Sequence, residues 1–556
     1  YLPLPASPSR VFVETEDQVR EALNDPQRYQ ADAYVALEPE AAWALRQAGK
    51  SYLKLEDGYE ESCLCNLAHS ILNEQLKWAE QVDSFLQSQI AEFQEVDFHP
   101  ARLYLYWFKV MLDSIYTRTF PLKWALDTWK PSRVIYIGEQ PANNKFGWDL
   151  MYHETLYPVI LKEVAKQFPS IEFDLPDSSQ LNINDVQASS NGAPYWQVRH
   201  PVKKLFYPLA HLARTWGKSI VEGASLTGQE AYVISPIYDL TPVWDEMRRR
   251  SYPYAIWDVI VDRFRRGSSS PLIMDKMSRV WGEISGQPFF RQVVQRDESD
   301  FWLLAKDRMH FWWHTLIPQQ WAAHEAVRRF YKTKPPRAVA VTVLIDHVER
   351  GVFAAFRSLG VSTYIYQHGG FVGWCEDVAW DVMDPLLADY QLTHGLGMTR
   401  WFKERRERYN DARALPITVG SSRLDSFRRQ FSKGTPIANL QPSILLVPNI
   451  IARFDRYLDC GNFPDVTEAE IQAEMLNIAR EFPQYDFVYK AFSGQVDTPA
   501  MRIARQPGSN CRGLYSGQLA DLMQTSDLIV LNFPSSAMIE ALCTDRPLII
   551  LVDNCS

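Results

Sequence analysis

Long apolar runs are missing from this sequence of 556 residues, and no segment reaches the ~20 apolar residues that a membrane-spanning helix requires. The amino terminus carries no basic stretch followed by an apolar core, which is the pattern of a secretory signal. Both absences predict a cytoplasmic protein. An excess of positive charge is also missing, because the formal net charge is -9, so we expect no nucleic-acid partner.

Several phosphate-binding and metal-binding motifs are absent as well. The chain has no Walker A sequence, no Gly-x-Gly-x-x-Gly and no Asp-x-Asp. Of the seven cysteines only Cys63 and Cys65 are close together, and we interpret all seven as reduced thiols rather than zinc ligands. The acidic run 376–389 is interrupted by Pro385 and has no His or Cys at ligand spacing, so no metal site is predicted.

Apolar residues are plentiful, at 46% of the chain against 22% charged, which is far from the composition of a disordered protein. The length exceeds the roughly 250–300 residues at which a single hydrophobic core stops growing. The sequence therefore predicts at least two globular domains.

Short apolar runs alternate with helical patterns at both ends of the chain, which predicts an α/β fold with parallel sheets. We expect two Rossmann-like domains that face a cleft, residues 1–430 on the acceptor side and residues 440–556 on the nucleotide side. Between about 180 and 331, polar loops and aromatic helical segments predict a large, mainly helical insertion in the first domain.

The most informative segment follows a strand that ends at Asn532. A turn through Pro534 delivers Ser535 and Ser536 to the start of a helix, where backbone N–H groups bind phosphate; the competing interpretation is a simple helix cap. Because the carboxyl ends of parallel strands meet at one sheet edge, further polar residues are expected there. These are Glu540, Lys490 and Asn449.

A second candidate segment is Gln367-His368-Gly369-Gly370, which follows a buried strand. The glycines let the backbone approach a ligand closely, and a histidine suits general-base or phosphate-contact work near neutral pH. A buried histidine that is merely hydrogen-bonded is the alternative.

Two carboxylates are expected at strand ends that face the same cleft. Asp346 follows VAVTVLI and Glu139 follows VIYIG. Either could act as a base or as a nucleophile toward carbon, and either could instead cap the helix that follows.

Five blocks stand in a distinctive order and spacing: Gln367-His368-Gly369-Gly370, Thr393-His394-Gly395, the segment 419–425 with Arg423, Lys490, and Ser535-Ser536 with Glu540 and Pro547. In their order and spacing these five blocks resemble the GT-B transferases that build bacterial surface polysaccharides. That group includes capsule and lipopolysaccharide glycosyltransferases and, more distantly, CDP-glycerol glycerophosphotransferases. The resemblance covers about 337–552. It departs from the family pattern at Ser422, which replaces the Pro of Gly-x-Pro-Arg-x-Asp, and at Phe492-Ser493, which replaces the His-Pro of Lys-x-His-Pro.

The resemblance implies a nucleotide-sugar donor held by the second domain, a glycan or glycolipid acceptor approached from the first, and neither an obligatory metal nor another cofactor. From their positions at strand ends we take His368, Asp346 or Glu139 as the catalytic group, with Gln367, Gly369, Gly370 and Arg423 lining the cleft. The leading hypothesis is a glycosyltransferase of surface-polysaccharide synthesis, with CMP-linked 3-deoxy-manno-octulosonic acid as one donor to consider.

Two other functions stay open at this stage. One is a CDP-polyol phosphotransferase of the teichoic-acid type, and the other is a non-catalytic carbohydrate-binding protein. The arginines at 248–250 and 263–266 are explained either by a solvated helix face or by a dock for an anionic glycolipid, so peripheral contact with the inner membrane also stays open.

Overall fold

A computed structural model of the chain describes most of its length. The described residues are 9–29, 32–138, 149–152, 155–176, 231–265, 267, 270–370, 373, 378, 385–409, 413–431, 441–451, 464–492, 495 and 497–551.

Three separate parallel sheets organise these residues. In spatial order, the N-terminal sheet contains Tyr52–Lys54, Ala33–Ala36, Ser9–Val13, Arg133–Tyr136 and Glu172–Asp174. The middle sheet contains Leu415–Thr418, Tyr390–Thr393, Ser362–Tyr366, Ala338–Val341, Tyr232–Ile234 and Tyr254–Ile256. The C-terminal sheet contains Cys511–Leu514, Asp486–Lys490, Ser443–Val447, Leu528–Leu531 and Leu548–Ile550. Each sheet with its helices is called a module below.

Helices connect the strands, as parallel pairing requires. They span Glu16–Asn24, Pro26–Tyr29, Pro39–Gln47, Glu61–Gln89, Ala91–Glu95, Pro100–Trp129, Tyr157–Ala165, Thr241–Arg249, Trp257–Phe264, Pro271–Ile284, Pro288–Arg291, Trp302–Phe311, Ile317–Tyr331, His347–Ser358, Leu396–Arg408, Ser422–Phe431, Asp465–Arg480, Pro499–Ala504, Leu519–Thr525 and Ser536–Ala541. A short antiparallel pair, Gln295–Arg296 with Ser299–Asp300, lies outside the three sheets.

The predicted α/β class with parallel sheets is confirmed, but the strands expected in one sheet between 1 and 430 belong to two. The mainly helical insertion is not confirmed, because its described part supplies the strands Tyr232–Ile234 and Tyr254–Ile256 of the middle sheet. The sequence indicates one strand in this segment, at 231–238, and it contains Tyr232–Ile234. Tyr254–Ile256 has only three residues, too few to leave a clear periodic pattern. The domain boundary between 430 and 440 lies largely outside the described residues and stays a prediction.

The largest core lies around the two long helices Glu61–Gln89 and Pro100–Trp129. Its centre is aromatic: Trp78 packs edge-on against Phe108 at 4.9 Å between ring centroids, and Phe108 packs in the same way against Trp312 at 4.6 Å. The Trp78 indole N–H donates to the carbonyl of Phe290 at 3.1 Å, so the buried polar atom has a partner. Packing of this kind accounts for much of the aromatic content.

The C-terminal module contacts both others. On one side, Lys54 Nζ lies 2.8 Å from Glu470 Oε2, and Arg502 lies 3.2 Å from Glu16, which joins it to the N-terminal module. On the other side it meets the middle module at the segment that contains Gly370. The cleft expected at that point is not confirmed, since the two surfaces are in contact there.

The cysteines differ from the expectation of uniformly reduced thiols. Cys65 is disulfide-bonded, whereas Cys63, Cys511 and Cys543 are free. Residues two apart on a helix point in different directions, which separates exposed Cys63 from Cys65. No helix among the described residues combines the length and apolar character needed to cross a bilayer.

Asp83 joins the two long helices, which generates a stability prediction. Its buried carboxylate accepts from the backbone N–H groups of Ala101 at 2.7 Å and Arg102 at 3.0 Å, the first turn of Pro100–Trp129. Asp83→Ala leaves both donors buried without a partner, which we expect to lower the free energy of unfolding by about 1–3 kcal/mol. Urea unfolding measures the change, with exposed Asp17→Ala as control; equal effects of the two substitutions would contradict the assignment.

Candidate functional site

The middle sheet has a topological switch point between Tyr232–Ile234 and Ala338–Val341. The chain adds Tyr254–Ile256 on one side of this pair and the later strands on the other. In open α/β sheets the crevice at such a point, outside the carboxyl ends of the strands, is where ligands bind. Asp239 lies in the turn Tyr238–Leu240, which follows the first of these strands after a short connection.

Asp239 is the centre of a buried polar cluster. His394 Nε2 lies 3.3 Å from its Oδ2, the Ser421 hydroxyl donates to its Oδ1, and Arg423 Nε lies 3.7 Å from Oδ2. Burial alone would raise the pKa of Asp239, but the hydrogen bonds from His394 and Ser421, together with the Arg423 charge, hold the pKa below its ordinary value. The carboxylate is therefore ionised near neutral pH.

Gln367 fixes the backbone around His394. Its side-chain oxygen accepts from the His394 N–H at 3.1 Å, and its amide nitrogen donates to the Gly369 carbonyl at 2.9 Å. Gly369 has φ of 73°, a left-handed conformation that glycine adopts without the steric cost of a side chain. Gln367, predicted to line a cleft, thus ties together two neighbouring strand ends.

His368 lies at the same edge. Its ring meets the Tyr238 ring in an edge-on contact, with 5.2 Å between centroids. Burial and the nearby Arg423 charge lower the pKa of His368 below its ordinary value, which favours the neutral imidazole. Its predicted catalytic role is compatible with this position and stays a prediction.

The C-terminal sheet has its switch point between Ser443–Val447 and Leu528–Leu531. Asn449 and Asn532, which follow these strands, are joined by a hydrogen bond from the Asn449 N–H to the Asn532 side-chain oxygen. Gln472 donates to the Asn449 carbonyl at 3.0 Å and to Glu468 Oε1 at 2.6 Å. Asn449, predicted from its strand end, is therefore held in a buried network.

Glu468 lies beneath that network with 1% of its surface exposed. Its Oε1 accepts from Gln472 and Asn532, whereas Oε2 is buried without a hydrogen-bond partner. Burial raises the pKa of Glu468 to about 7, against the lowering effect of the two hydrogen bonds. The carboxyl group can therefore change its protonation near neutral pH.

Ser535 and Ser536 have different partners at this turn, and their phosphate contact stays a prediction. The Ser535 hydroxyl accepts from the Ala537 N–H at 3.2 Å and so caps the helix Ser536–Ala541. The Ser536 hydroxyl instead accepts from the Gly370 N–H at 3.2 Å, across the two modules. A Cβ on Gly370 would lie 2.2–2.8 Å from the side chain of Ile539, so this contact requires glycine.

Arg423 links the two edges by charge. Its guanidinium forms an ion pair with Glu540 of the C-terminal module and lies beside Asp239 of the middle one. Arg423 Nε is buried and has no hydrogen-bond acceptor. Lys490 lies at the C-terminal edge, where its Nζ donates to the Ala491 carbonyl at 3.1 Å and burial lowers its pKa.

Asp346 has different partners from the Asp239 cluster. It caps the helix His347–Ser358 by accepting from the Glu349 N–H at 2.9 Å, and it lies 2.6 Å from Arg265. Among the described residues no contact connects Asp346 with Asp239 or His394, and its structural role is the cap that the sequence offered as an alternative.

Glu139 lies outside the described residues. Within the same part of the chain, no group of three or more His, Cys, Asp and Glu side chains is arranged to hold a metal ion.

Sequence reasoning missed Asp239, Ser421, Asn532 and Glu468 as site residues and used His394 only as part of a motif. Asp239 lies in the turn Tyr238–Leu240, just after the segment 231–238 that the sequence indicates as a strand. The signal that could have found it is the sequence Tyr-Asp-Leu-Thr-Pro, since Thr-Pro is typical of a helix start.

No protein-family model matches this chain, and no curated protein matches it in sequence. Among solved structures, UDP-GlcNAc 2-epimerase from Neisseria meningitidis bound to UDP-GlcNAc is 11% identical, with 58% of this chain and 82% of that chain covered and a TM-score of 0.34. UDP-N-acetylglucosamine 2-epimerase from Rickettsia bellii is 12% identical, with 57% and 77% covered and a TM-score of 0.31. Sequence identities and TM-scores this low do not indicate an activity, which has to be inferred from the residues of the chain itself.

Glu468 generates a prediction about pH. Because its pKa rises from 4.5 to about 7 on folding, its contribution to stability is fully present below pH 4.5 and is lost as the pH rises through about 7. Glu468→Gln removes this dependence. As the pH rises from about 5 to about 8, the free energy of unfolding of the variant should therefore increase relative to that of the wild type by up to about 3 kcal/mol. Urea unfolding at the two pH values measures the difference, and parallel pH profiles would show the pKa assignment to be wrong.

Gly370 generates a prediction about the contact between modules. Gly370→Ala places a Cβ against Ile539, and the resulting overpacking should cost about 1–3 kcal/mol and lower the thermal midpoint. Adding Ile539→Ala should restore most of the loss, because it removes the clashing atoms. Gly397→Ala is the matched control, since nothing lies within 4 Å of the added methyl group. Absence of rescue in the double variant would contradict the contact.

Proposed function

We propose that this chain is a glycosyltransferase that takes a sugar from a nucleotide-activated donor, with the reaction at the contact between the middle and C-terminal modules. The observation that carries the proposal is the Asp239–His394 pair at the carboxyl edge of one sheet, next to the Gly370–Ser536 contact with the other. A paired acid and base of this kind suits proton abstraction from a hydroxyl group.

His394 is the proposed general base. With Nε2 directed at Asp239, its Nδ1 is the nitrogen that can take a proton from an acceptor hydroxyl. The acceptor oxygen then forms a bond to the anomeric carbon of the donor, and the bond between that carbon and the phosphate oxygen breaks. The nucleotide leaves with the electron pair, while Asp239 stabilises the imidazolium.

Cationic groups for the departing phosphate lie near the same contact. Arg423 Nε, which has no hydrogen-bond acceptor, supplies a buried donor that an anionic oxygen would satisfy. Lys490 adds a second cation at the C-terminal sheet edge, and Ser536 adds a hydroxyl. The helix Ser536–Ala541 has only six residues, so its dipole is a minor part of this proposal.

Two exposed aromatic side chains support a nucleoside site beyond Lys490. Strands Asp486–Lys490 and Cys511–Leu514 are neighbours, with Lys490 opposite Leu514. Phe492 and Tyr515 follow these paired ends and are both largely exposed, although aromatic rings normally lie buried. Rings in this position could stack on a nucleobase, whose apolar faces favour such contact.

The donor is proposed from the sequence resemblance alone. CMP-linked 3-deoxy-manno-octulosonic acid is the first donor to test, in the synthesis of a surface polysaccharide at the cytoplasmic face of the membrane. The acceptor would be a glycan or a glycolipid.

The test uses the full-length chain with CMP-, UDP- and GDP-linked sugars and with CDP-glycerol, each with mixed glycan acceptors. Mass spectrometry identifies the product, because transfer of a sugar, transfer of a polyol phosphate and epimerisation of the donor give different mass changes. We expect sugar transfer with at least one donor. His394→Ala and Asp239→Asn should lower the transfer rate by about 10²–10⁴-fold while donor binding is retained.

His310→Ala is the matched control, because His310 is an exposed histidine outside the site, and it should leave the rate unchanged. Thermal midpoints show whether each variant folds. Full transfer activity in a folded His394→Ala variant would contradict the proposed base, and absence of transfer from every donor would contradict the function.

A further inference from the structure

The helix Thr241–Arg249 contributes no buried residue to the fold. A helix normally packs one apolar face into a core, since propensity alone does not stabilise nine residues. Trp244 and Met247 pack, half-buried, against the cluster of Ile234, Leu240 and Tyr366, and a helix face that includes Met247 also lines an open groove of about 420 Å³. That volume lies within the roughly 300–1,000 Å³ of small-molecule sites.

The groove combines apolar and hydrogen-bonding groups. Val243, Glu246, Met247 and Arg250 are spaced to share one helix face, and Tyr252 extends it. Glu246 Oε1 lies 2.6 Å from Arg250 Nε, so an acceptor and a donor stand side by side. A pyranose presents an apolar ring face beside a rim of vicinal hydroxyls, which matches this arrangement.

Two exposed tyrosines flank the helix. Tyr238 precedes it and is 53% exposed, and Tyr252 follows it and is 46% exposed. Tyr238 has φ of 48° and Ser251, next to Tyr252, has φ of 56°. At Ser251 this conformation belongs to the turn that ends the helix, in which the Tyr252 N–H donates to the Met247 carbonyl at 3.0 Å. At Tyr238, left-handed backbone costs of order 1–3 kcal/mol.

Two residues of the groove lining lie near the Asp239–His394 pair along the chain. Ser422, which lines it, directly follows Ser421, whose hydroxyl donates to Asp239. Pro242, which also lines the groove, lies three residues beyond Asp239, and the Tyr238 ring contacts the His368 ring edge-on. Tyr238 therefore marks the end of the helix that is near His368, and Tyr252 marks the opposite end.

We infer that this groove binds an oligosaccharide, as the extended acceptor site of the chain, with Tyr238 as the inner and Tyr252 as the outer sugar platform. The inference rests on the proposed function and deepens it, because it gives the acceptor class and the residues that select it. Tyr252 is a binding residue for sugar units distant from the reacting hydroxyl.

Direct binding tests the inference without a donor. Maltotriose, N-acetylchitotriose and trigalacturonate represent neutral, N-acetylated and acidic glycans, and saturation-transfer NMR with the full-length protein measures each affinity. We expect at least one of the three to bind. Tyr252→Ala should weaken that binding by about 3- to 10-fold, whereas Tyr252→Phe, which keeps the ring, should retain it.

Leu272→Ala is the matched control, because Leu272 is an apolar side chain that is 58% exposed on another helix. It should leave the affinity unchanged. Thermal midpoints equal to that of the wild type exclude unfolding as the cause. Failure of all three glycans to bind, or equal affinities in wild type and Tyr252→Ala, overturns the inference, and so does binding to anionic lipid vesicles in place of glycans.

Kinetics separates this inference from the proposed function. With an active donor, Tyr252→Ala should raise the KM for a trisaccharide acceptor and leave kcat, as well as the KM for a monosaccharide acceptor, unchanged. Transfer that is insensitive to Tyr252 at every acceptor length refutes the groove and leaves the function standing. Glycan binding that depends on Tyr252 in a chain that transfers nothing supports the groove and refutes the function.

Discussion

The buried carboxylate of Asp239 is the constraint on which the rest of the site depends. An ionised carboxylate that is 3% exposed is costly unless its oxygens are satisfied, and here His394 and Ser421 hydrogen-bond to it while Arg423 places a positive charge 3.7 Å away. These residues follow two further strands of the middle sheet, so their spacing is fixed by the sheet. Satisfying one buried charge therefore brings a base, a hydroxyl and a cation to one position.

The sequence predicted most strands and the parallel pairing of the sheets, because a strand covered on both faces is a continuous apolar run, as in Ala338–Val341 and Leu528–Leu531. The number of sheets could not be predicted. The number of sheets depends on which strands pair with each other. Tyr232–Ile234 pairs with Ala338–Val341, which comes about a hundred residues later in the chain. A three-residue strand has no periodicity that would specify such a partner.

The site was predicted where a residue directly follows a long strand. Gln367, His368, Lys490 and Asn449 all lie at the sheet edges where the strand pattern puts them. Asp239 and Glu468 could not be found in this way, because Asp239 lies in a short turn and Glu468 on a helix. Their roles follow from three-dimensional burial. A local pattern shows at which point of a sheet a residue lies. The partners that make its side chain reactive come from distant segments of the chain.

Arg423 contacts carboxylates of both the middle and the C-terminal module. It stands between Asp239 and Glu540, so one guanidinium serves two carboxylates and holds the middle and C-terminal edges together. A phosphate that enters this contact adds negative charge, and in a dry site like charges a few ångströms apart repel strongly. Glu540 is the more exposed of the two carboxylates and can turn toward solvent, whereas Asp239 is fixed by His394 and Ser421. Under the proposed function, donor binding therefore exchanges Glu540 for phosphate at Arg423 and leaves the Asp239–His394 pair intact.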